Sequence, residues 1–375
     1  MNAPATAIPD PQKLDEMMFS IIQRIATGPD LSKDIEMEEA RLGMLGLLQN
    51  AIDPVRAGIF LIALRMKRET REENRGVLQA ILDMTDRTVA DVDEVVDIAD
   101  PYDGYNRTLP ASPFLGPLLA ELGIHVVSHG LDAVGPKFSI THRHVLAAAG
   151  VPVDLSTAEA AKRLSDPALG WAYADQANFC APLHDLLDLR RKMIKRSVIT
   201  TVEVLAKPIA GRNKTRFVTG YVHKPYPPVY ADLARLAGFE SALLIRGVEG
   251  GVIPSLRQAG KYFAYQAMGE ETGFDIDPTS IGIQQETRCV PVSEDIPQSA
   301  KGEGTVTITD IPAGAKRSAE LGMAALGGEQ GATYDSLVYS GALILQHLGK
   351  ARSLAEGAEQ IRAVLDSGKA AARVA

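Results

Sequence analysis

The chain has 375 residues, 46% hydrophobic and 23% charged, ordinary globular usage that excludes disorder on the scale of the whole chain. Aromatic residues make up 5%, with a single tryptophan, Trp171, which disfavours a nucleic-acid reader built on stacking platforms. The net charge of −8 excludes a uniformly basic coat but leaves local patches open. Cys180 and Cys289 stand outside any C-x-x-C pair and point to a reducing compartment. No run reaches about 18 apolar residues, so no membrane span is expected. Residues 1–13 lack a basic segment followed by an apolar core; they read as a flexible tail and not as a signal peptide. A cytoplasmic globular protein with no membrane partner is expected.

Residues 14–89 read as helices only. The first covers Leu14–Ala26, with Leu14, Met18, Ile21 and Ile25 at helical spacing. The second covers Ile35–Leu48. Asp53-Pro54 sets a cap before a proline at the first helical position and opens the third. Thr70-Arg71-Glu72-Glu73 fits a capping box and opens the fourth. Short helices on short connections predict a small bundle.

After Val89 the rhythm changes. Strands are expected at Val92–Ile98, Ile124–His129, Arg216–Val222, Ala242–Ile245 and Val306–Ile308. Helices are expected between them at Pro113–Leu122, His142–Ala149, Tyr230–Ala237 and Asp335–Gln346. Alternation of this kind predicts crossovers and a mostly parallel sheet. Leu183–Val204 reads as helical and basic and interrupts the alternation. The predicted architecture is α/β: a small all-helical domain over 14–89, joined in space by helices near 183–204, and a larger α/β domain over 90–375.

Several segments together resemble the anthranilate phosphoribosyltransferase family. They are Glu38-Glu39-Ala40, Ala57–Lys67, Thr70–Glu73, Val127-Ser128-His129-Gly130, Phe179-Cys180-Ala181-Pro182, Leu189-Arg190-Arg191, Ser353–Gly357 and Asp366–Ala370. The likeness covers nearly the whole chain in the family's order. It implies a helical domain beside an α/β domain, a homodimer through the helical domain, and phosphoribosyl transfer using magnesium.

The motifs for that chemistry depart from the family's pattern. Its glycine-rich phosphate turn falls on Asp100-Pro101-Tyr102-Asp103-Gly104, where one glycine survives and Pro101 has no amide proton. Its adjacent acidic metal pair falls on Val252-Ile253, which offers no oxygen to a hard cation. Tyr102-Asp103-Gly104, Arg107, Ser112-Pro113, Arg190-x-x-Met193-x-x-Arg196, Thr201, Pro208 and Gly247-Val248-Glu249-Gly250 instead resemble a diverged branch of the same family. Binding of nucleic acid along a basic groove is associated with that branch.

Arg190-Arg191-Lys192-Met193-Ile194-Lys195-Arg196 is the sharpest local feature. Residues 185–216 hold nine Lys/Arg against three Asp/Glu in a chain of net −8. On a continuous helix Arg191/Lys195 and Lys192/Arg196 form adjacent rows. Such a stripe suits phosphates, with a solvated helix face as the plain alternative. The expected nucleic-acid contacts are Arg190, Arg191, Lys192, Lys195 and Arg196. The expected phosphate-ligand set is Tyr102, Asp103, Gly104, Arg107, Ser112, His129, Gly130, Lys137 and Arg191. The resemblance places Arg191 where the enzymes contact their aromatic acid. His142-Arg143-His144 suggests no metal, because i and i+2 point apart on a helix. No catalytic group, metal ligand or cofactor is assigned. The partner expected is a nucleic acid or a phosphorylated small molecule. The alternative is an active phosphoribosyltransferase with a remodelled donor site, and only that alternative calls for magnesium.

Overall fold

Among the described residues four helices come first: α1 (Pro11–Ile25), α2 (Met37–Leu48), α3 (Pro54–Lys67) and α4 (Arg71–Met84). The computed structural model describes residues 10–28, 30–301 and 305–374. Residues 1–9 of the expected tail lie outside the described residues, and residues 11–13, expected in that tail, belong to α1. Asp10 accepts from the Gln12 amide, and Pro11 begins α1. Asp53 caps α3 by accepting from the amides of Val55 and Arg56. The Thr70–Glu73 box forms in both directions. Glu73 also accepts from the Ile35 amide and pairs with Lys67 at 2.8 Å, which ties α4 to the end of α3 and to the segment that leads into α2.

Eleven strands follow among the described residues: β1 (Thr88–Val89), β2 (Glu94–Ala99), β3 (Val126–Gly130), β4 (Trp171–Asp175), β5 (Ile209–Ala210), β6 (Lys214–Tyr221), β7 (Ser241–Arg246), β8 (Gly260–Tyr265), β9 (Thr272–Ile276), β10 (Gln298–Lys301) and β11 (Thr305–Ile308). The central sheet runs β4-β3-β2-β6-β7-β8-β9. Its first five strands are parallel, and β8 and β9 return antiparallel. β1 and β5 form a separate parallel pair. The expected strand at 306–308 does not join the central sheet; it pairs with β10 in a hairpin. β4 reads Trp-Ala-Tyr-Ala-Asp, with no β-branched residue, and is a strand because both faces are buried.

Helices cover both faces of the sheet, among them His142–Ala148, Tyr226–Leu236, Ile311–Leu326, Ala332–His347 and Leu354–Ser367. One apolar cluster joins the bundle to one face, through Phe60, Leu64 and Ile81 on the helices and Phe217 and Leu244 on the sheet. Leu183, Ile199 and Val202 pack into the same cluster. On the other face Trp171 of β4 shares a second cluster with Phe114 and Tyr339.

The basic segment is not one helix. Leu187–Met193 ends at Ile194, a left-handed cap at φ 67°, and the next helical turn is Ile199–Val202. Lys195 and Arg196 lie in the break, so the two rows of four-residue spacing do not form.

Candidate functional site

In this sheet the chain runs outward from β2 to β3 and β4, then returns to β6 on the other side of β2. Ligand crevices of open α/β sheets open at the carboxyl ends of strands at such a reversal. A cleft lies there, between the ends of β2, β6 and β7 and the helical bundle. Pro101 to Asp103, Thr219 to His223, and Glu249 and Gly250 line the sheet side. Arg65 of α3, Arg196, Thr200 and Thr201 line the helical side. The strand ends approach closely: a Cβ on Gly220 would meet the Gly251 carbonyl oxygen at 2.0 Å, so only glycine fits there.

Three cations from distant parts of the chain reach this cleft: Arg65, Lys137 and Arg196. Lys137 lies 3.1 Å and Arg196 2.5 Å from the buried Asp103 carboxylate. Arg65 is exposed and has no carboxylate within 4 Å among the described residues. Arg191 stacks its guanidinium 5.7 Å from the centre of the Phe138 ring, beside Lys137. Arg191 and Lys195 are exposed and likewise lack an ion-pair partner among the described residues.

The opposite wall is aromatic. The rings of Tyr226 and Tyr230 lie 5.9 Å apart, and His223 lies 6.2 Å from Tyr226. Burial holds the Tyr230 hydroxyl protonated, well above its ordinary range.

Buried polar chains fix the loop above the cleft. His129 Nε2 is 2.7 Å from Asp97, and its Nδ1 is bonded by the Tyr102 hydroxyl. Burial drives the Tyr102 hydroxyl well above its usual range, with Glu203 and Asp97 adding to it. Asp100 accepts from Tyr105 and Ser112, and its Oδ2 is 2.7 Å from His142 Nε2. Burial alone would raise the Asp100 carboxyl, but His142 and the hydroxyls outweigh it and hold it below its ordinary value. The Val252 amide donates to the other Asp100 oxygen at 2.9 Å.

Glu249 ties this loop to the turn after β7. Its carboxylate accepts from the amides of Asn106 (3.2 Å) and Arg107 (3.0 Å) and from the Thr108 hydroxyl (3.0 Å).

The structure thus brings Tyr102, Asp103, Lys137 and Arg196 to the cleft, whereas Arg191, stacked on Phe138, and Lys195 are not among its lining residues. Other expected site residues lie elsewhere. Arg190 is buried and gives both Nη atoms to Glu203 at 2.7 Å, so it offers nothing to a phosphate. Lys192 faces solvent and pairs with Asp188 at 2.7 Å. Ser112, His129 and Gly130 are buried behind the cleft wall. Gly104 shapes the loop, at φ 80° with a Cβ position only 2.6 Å from the Ile140 carbonyl oxygen. The Arg107 side chain is exposed and does not line the cleft, although its amide meets Glu249. Arg65, Thr200, Tyr221, His223, Tyr226 and Tyr230 were not expected. The one signal for the last four was their position at or beyond the carboxyl end of a parallel strand.

Magnesium does not fit the groups present. Asp103 is held by two cations and Glu249 by three donors. Val252 and Ile253 are packed in the core. Among the described residues no group of three His, Cys, Asp or Glu side chains could hold a metal ion.

Comparison with known proteins agrees with the architecture. The profile of "Glycosyl transferase family, helical bundle domain" matches residues 19–85, and that of "Glycosyl transferase family, a/b domain" matches residues 103–371. An anthranilate phosphoribosyltransferase of Rhodopseudomonas palustris is 27% identical over 95% of each chain. An uncharacterized protein of Aquifex aeolicus is 26% identical over 88% of this chain and 94% of its own. The fold matches crystallised anthranilate phosphoribosyltransferase of Thermus thermophilus, with TM-score 0.70, 19% identity and coverage of 96% and 97%. It also matches the Saccharomyces cerevisiae protein in complex with PRPP and Mg, with TM-score 0.72, 16% identity and coverage of 96% of each chain. The chain belongs to this glycosyl transferase family, with the anthranilate phosphoribosyltransferases among its relatives.

Proposed function

We propose that this member of the glycosyl transferase family binds phosphate groups in its interdomain cleft, and that the backbone of a nucleic acid is the ligand. The convergence of Arg65, Lys137 and Arg196 on one cleft carries the reading. Arg191, stacked on Phe138 beside Lys137, and Lys195, next in the chain to Arg196, are exposed cations that have no ion-pair partner among the described residues. Phosphate oxygens are the natural complement of unpaired guanidinium groups. Phosphate contacts carry no base information, so the binding has little sequence preference. No magnesium-dependent step is part of this reading, because the cleft's carboxylates are engaged by protein donors.

The test is a titration of single- and double-stranded DNA at two salt concentrations. Binding must weaken steeply with salt. A protein that binds neither form at low salt, or whose binding survives combined Arg65→Glu, Arg191→Glu and Lys195→Glu replacement, overturns the reading.

The tyrosine wall favours one second reading, a transferase with a flat aromatic acceptor. Turnover of phosphoribosyl diphosphate with anthranilate or another aromatic acid supports it, and an untouched donor removes it.

A further inference from the structure

We propose that the amides of Asn106 and Arg107, with the Thr108 hydroxyl, form an anion-binding subsite that Glu249 fills in the resting protein. A phosphate of the ligand takes this subsite by displacing the carboxylate. The inference rests on the reading of the cleft as a phosphate site.

Three consecutive residues aim donors at one point. The amides of Asn106 and Arg107 lie 3.2 and 3.0 Å from the carboxylate oxygens, and the Thr108 hydroxyl 3.0 Å. Successive N–H groups that converge in this way make a receptor for an oxyanion. A tetrahedral phosphate offers three oxygens to such a set, and a carboxylate offers two. The Lys137 ammonium stands 3.9 Å from the carboxylate and adds positive charge.

The occupant comes from the protein itself. The Glu249 side chain is 9% exposed, yet the residue lines the cleft. Its backbone sits at φ 54°, ψ 12°, a left-handed conformation that costs a non-glycine residue free energy. The three charge-assisted hydrogen bonds offset that cost. Gly250 follows it at φ 90°, a second left-handed position that glycine takes without steric cost. Glu249 therefore acts as a resident anion. It keeps the loop ordered while the cleft is empty of ligand, and it competes with incoming phosphate.

The test is calorimetric titration of inorganic pyrophosphate, without divalent metal, into the wild type, Glu249→Ala and Glu249→Ala/Thr108→Val. Emptying the subsite is expected to tighten binding about tenfold, the equivalent of one charge-assisted hydrogen bond released to the ligand. Adding Thr108→Val is expected to reverse most of that gain. Glu249→Gln keeps the shape and removes the charge, so it reports if the alanine variant does not fold; a smaller gain in the same direction is expected. A folded Glu249→Ala or Glu249→Gln protein that binds pyrophosphate no better than the wild type overturns the inference. DNA binding separates the two claims. If the wild type binds DNA through the unpaired cations and no Glu249 variant gains affinity, the subsite alone fails. If the variants gain pyrophosphate affinity but no form binds DNA, the nucleic-acid reading fails and the subsite stands.

Discussion

Arg190 and Glu203 form a two-pronged ion pair inside the protein, each Nη 2.7 Å from a different carboxylate oxygen. Gln176 donates a third hydrogen bond to Glu203 at 3.2 Å. The pair fastens the basic helix to the turn that follows it, and it removes the first arginine of the basic run from the surface. Arg190→Ala leaves a fully buried carboxylate without its cation, at an expected cost of about 3–5 kcal/mol. Arg191→Ala, one residue on and exposed, is expected to cost less than about 0.5 kcal/mol. Urea unfolding of the two variants checks the contrast; equal stabilities would contradict the buried pair.

The unpaired cations carry a quantitative signature. Each phosphate contact removed from duplex DNA binding is expected to reduce the slope of log affinity against log salt by about 0.9. Arg65→Ala, Arg191→Ala and Lys195→Ala are each expected to lower the slope by one such step. Lys192→Ala is expected to leave it unchanged, since Lys192 pairs with Asp188 on an exposed helix face. Fluorescence titrations over a salt series measure this directly.

Gly104 and Gly150 both sit at φ 80°, but only Gly104 is crowded. An added Cβ at Gly104 meets the Ile140 carbonyl oxygen at 2.6 Å, whereas at Gly150 nothing lies within 4 Å. Both alanine variants bear the cost of left-handed backbone, roughly 1 kcal/mol. Gly104→Ala must also push the loop away from residues 139–140, and is expected to be less stable than Gly150→Ala by a further 1 kcal/mol or so. Thermal melts of the pair decide it.

His347 gives the protein an acid sensitivity far from the cleft. Burial, aided by Arg216, lowers its imidazole from its ordinary value of 6.5 to about 3. Its Nε2 faces the Ser241 hydroxyl at 2.8 Å, and Gln266 lies 3.1 Å from its Nδ1. The unfolded chain takes up a proton below pH 6.5 that the folded protein resists, so this contribution is complete above that pH. It is lost progressively as pH falls toward 3, by an amount on the order of a few kcal/mol. Denaturation from pH 7 to pH 4 is expected to show a shallower loss for His347→Gln than for the wild type.

Local chemistry made much of this fold legible in the sequence. Asp53, Thr70 and Glu73 satisfy the first amides of α3 and α4, and their caps are written within three residues. The alternation from Val92 onward marked a mostly parallel sheet, and with it the strand ends where a ligand crevice opens. Strand β4 was hidden because it carries no β-branched residue; burial on both faces made it a strand. Arg190 through Arg196 looked like a single charged stripe because residue type is local. Ile194 breaks the helix, Glu203 draws Arg190 inward, and Asp103 holds Arg196 at the cleft. Arg65 and Lys137 join Arg196 only because the bundle packs over the ends of β2 and β6. The sequence by itself thus determined the helices, their caps and the class of fold, which depend on neighbours a few residues apart. Which cations meet, and which carboxylates they meet, was decided by contacts between residues tens to hundreds of positions apart, and only the tertiary structure sets those.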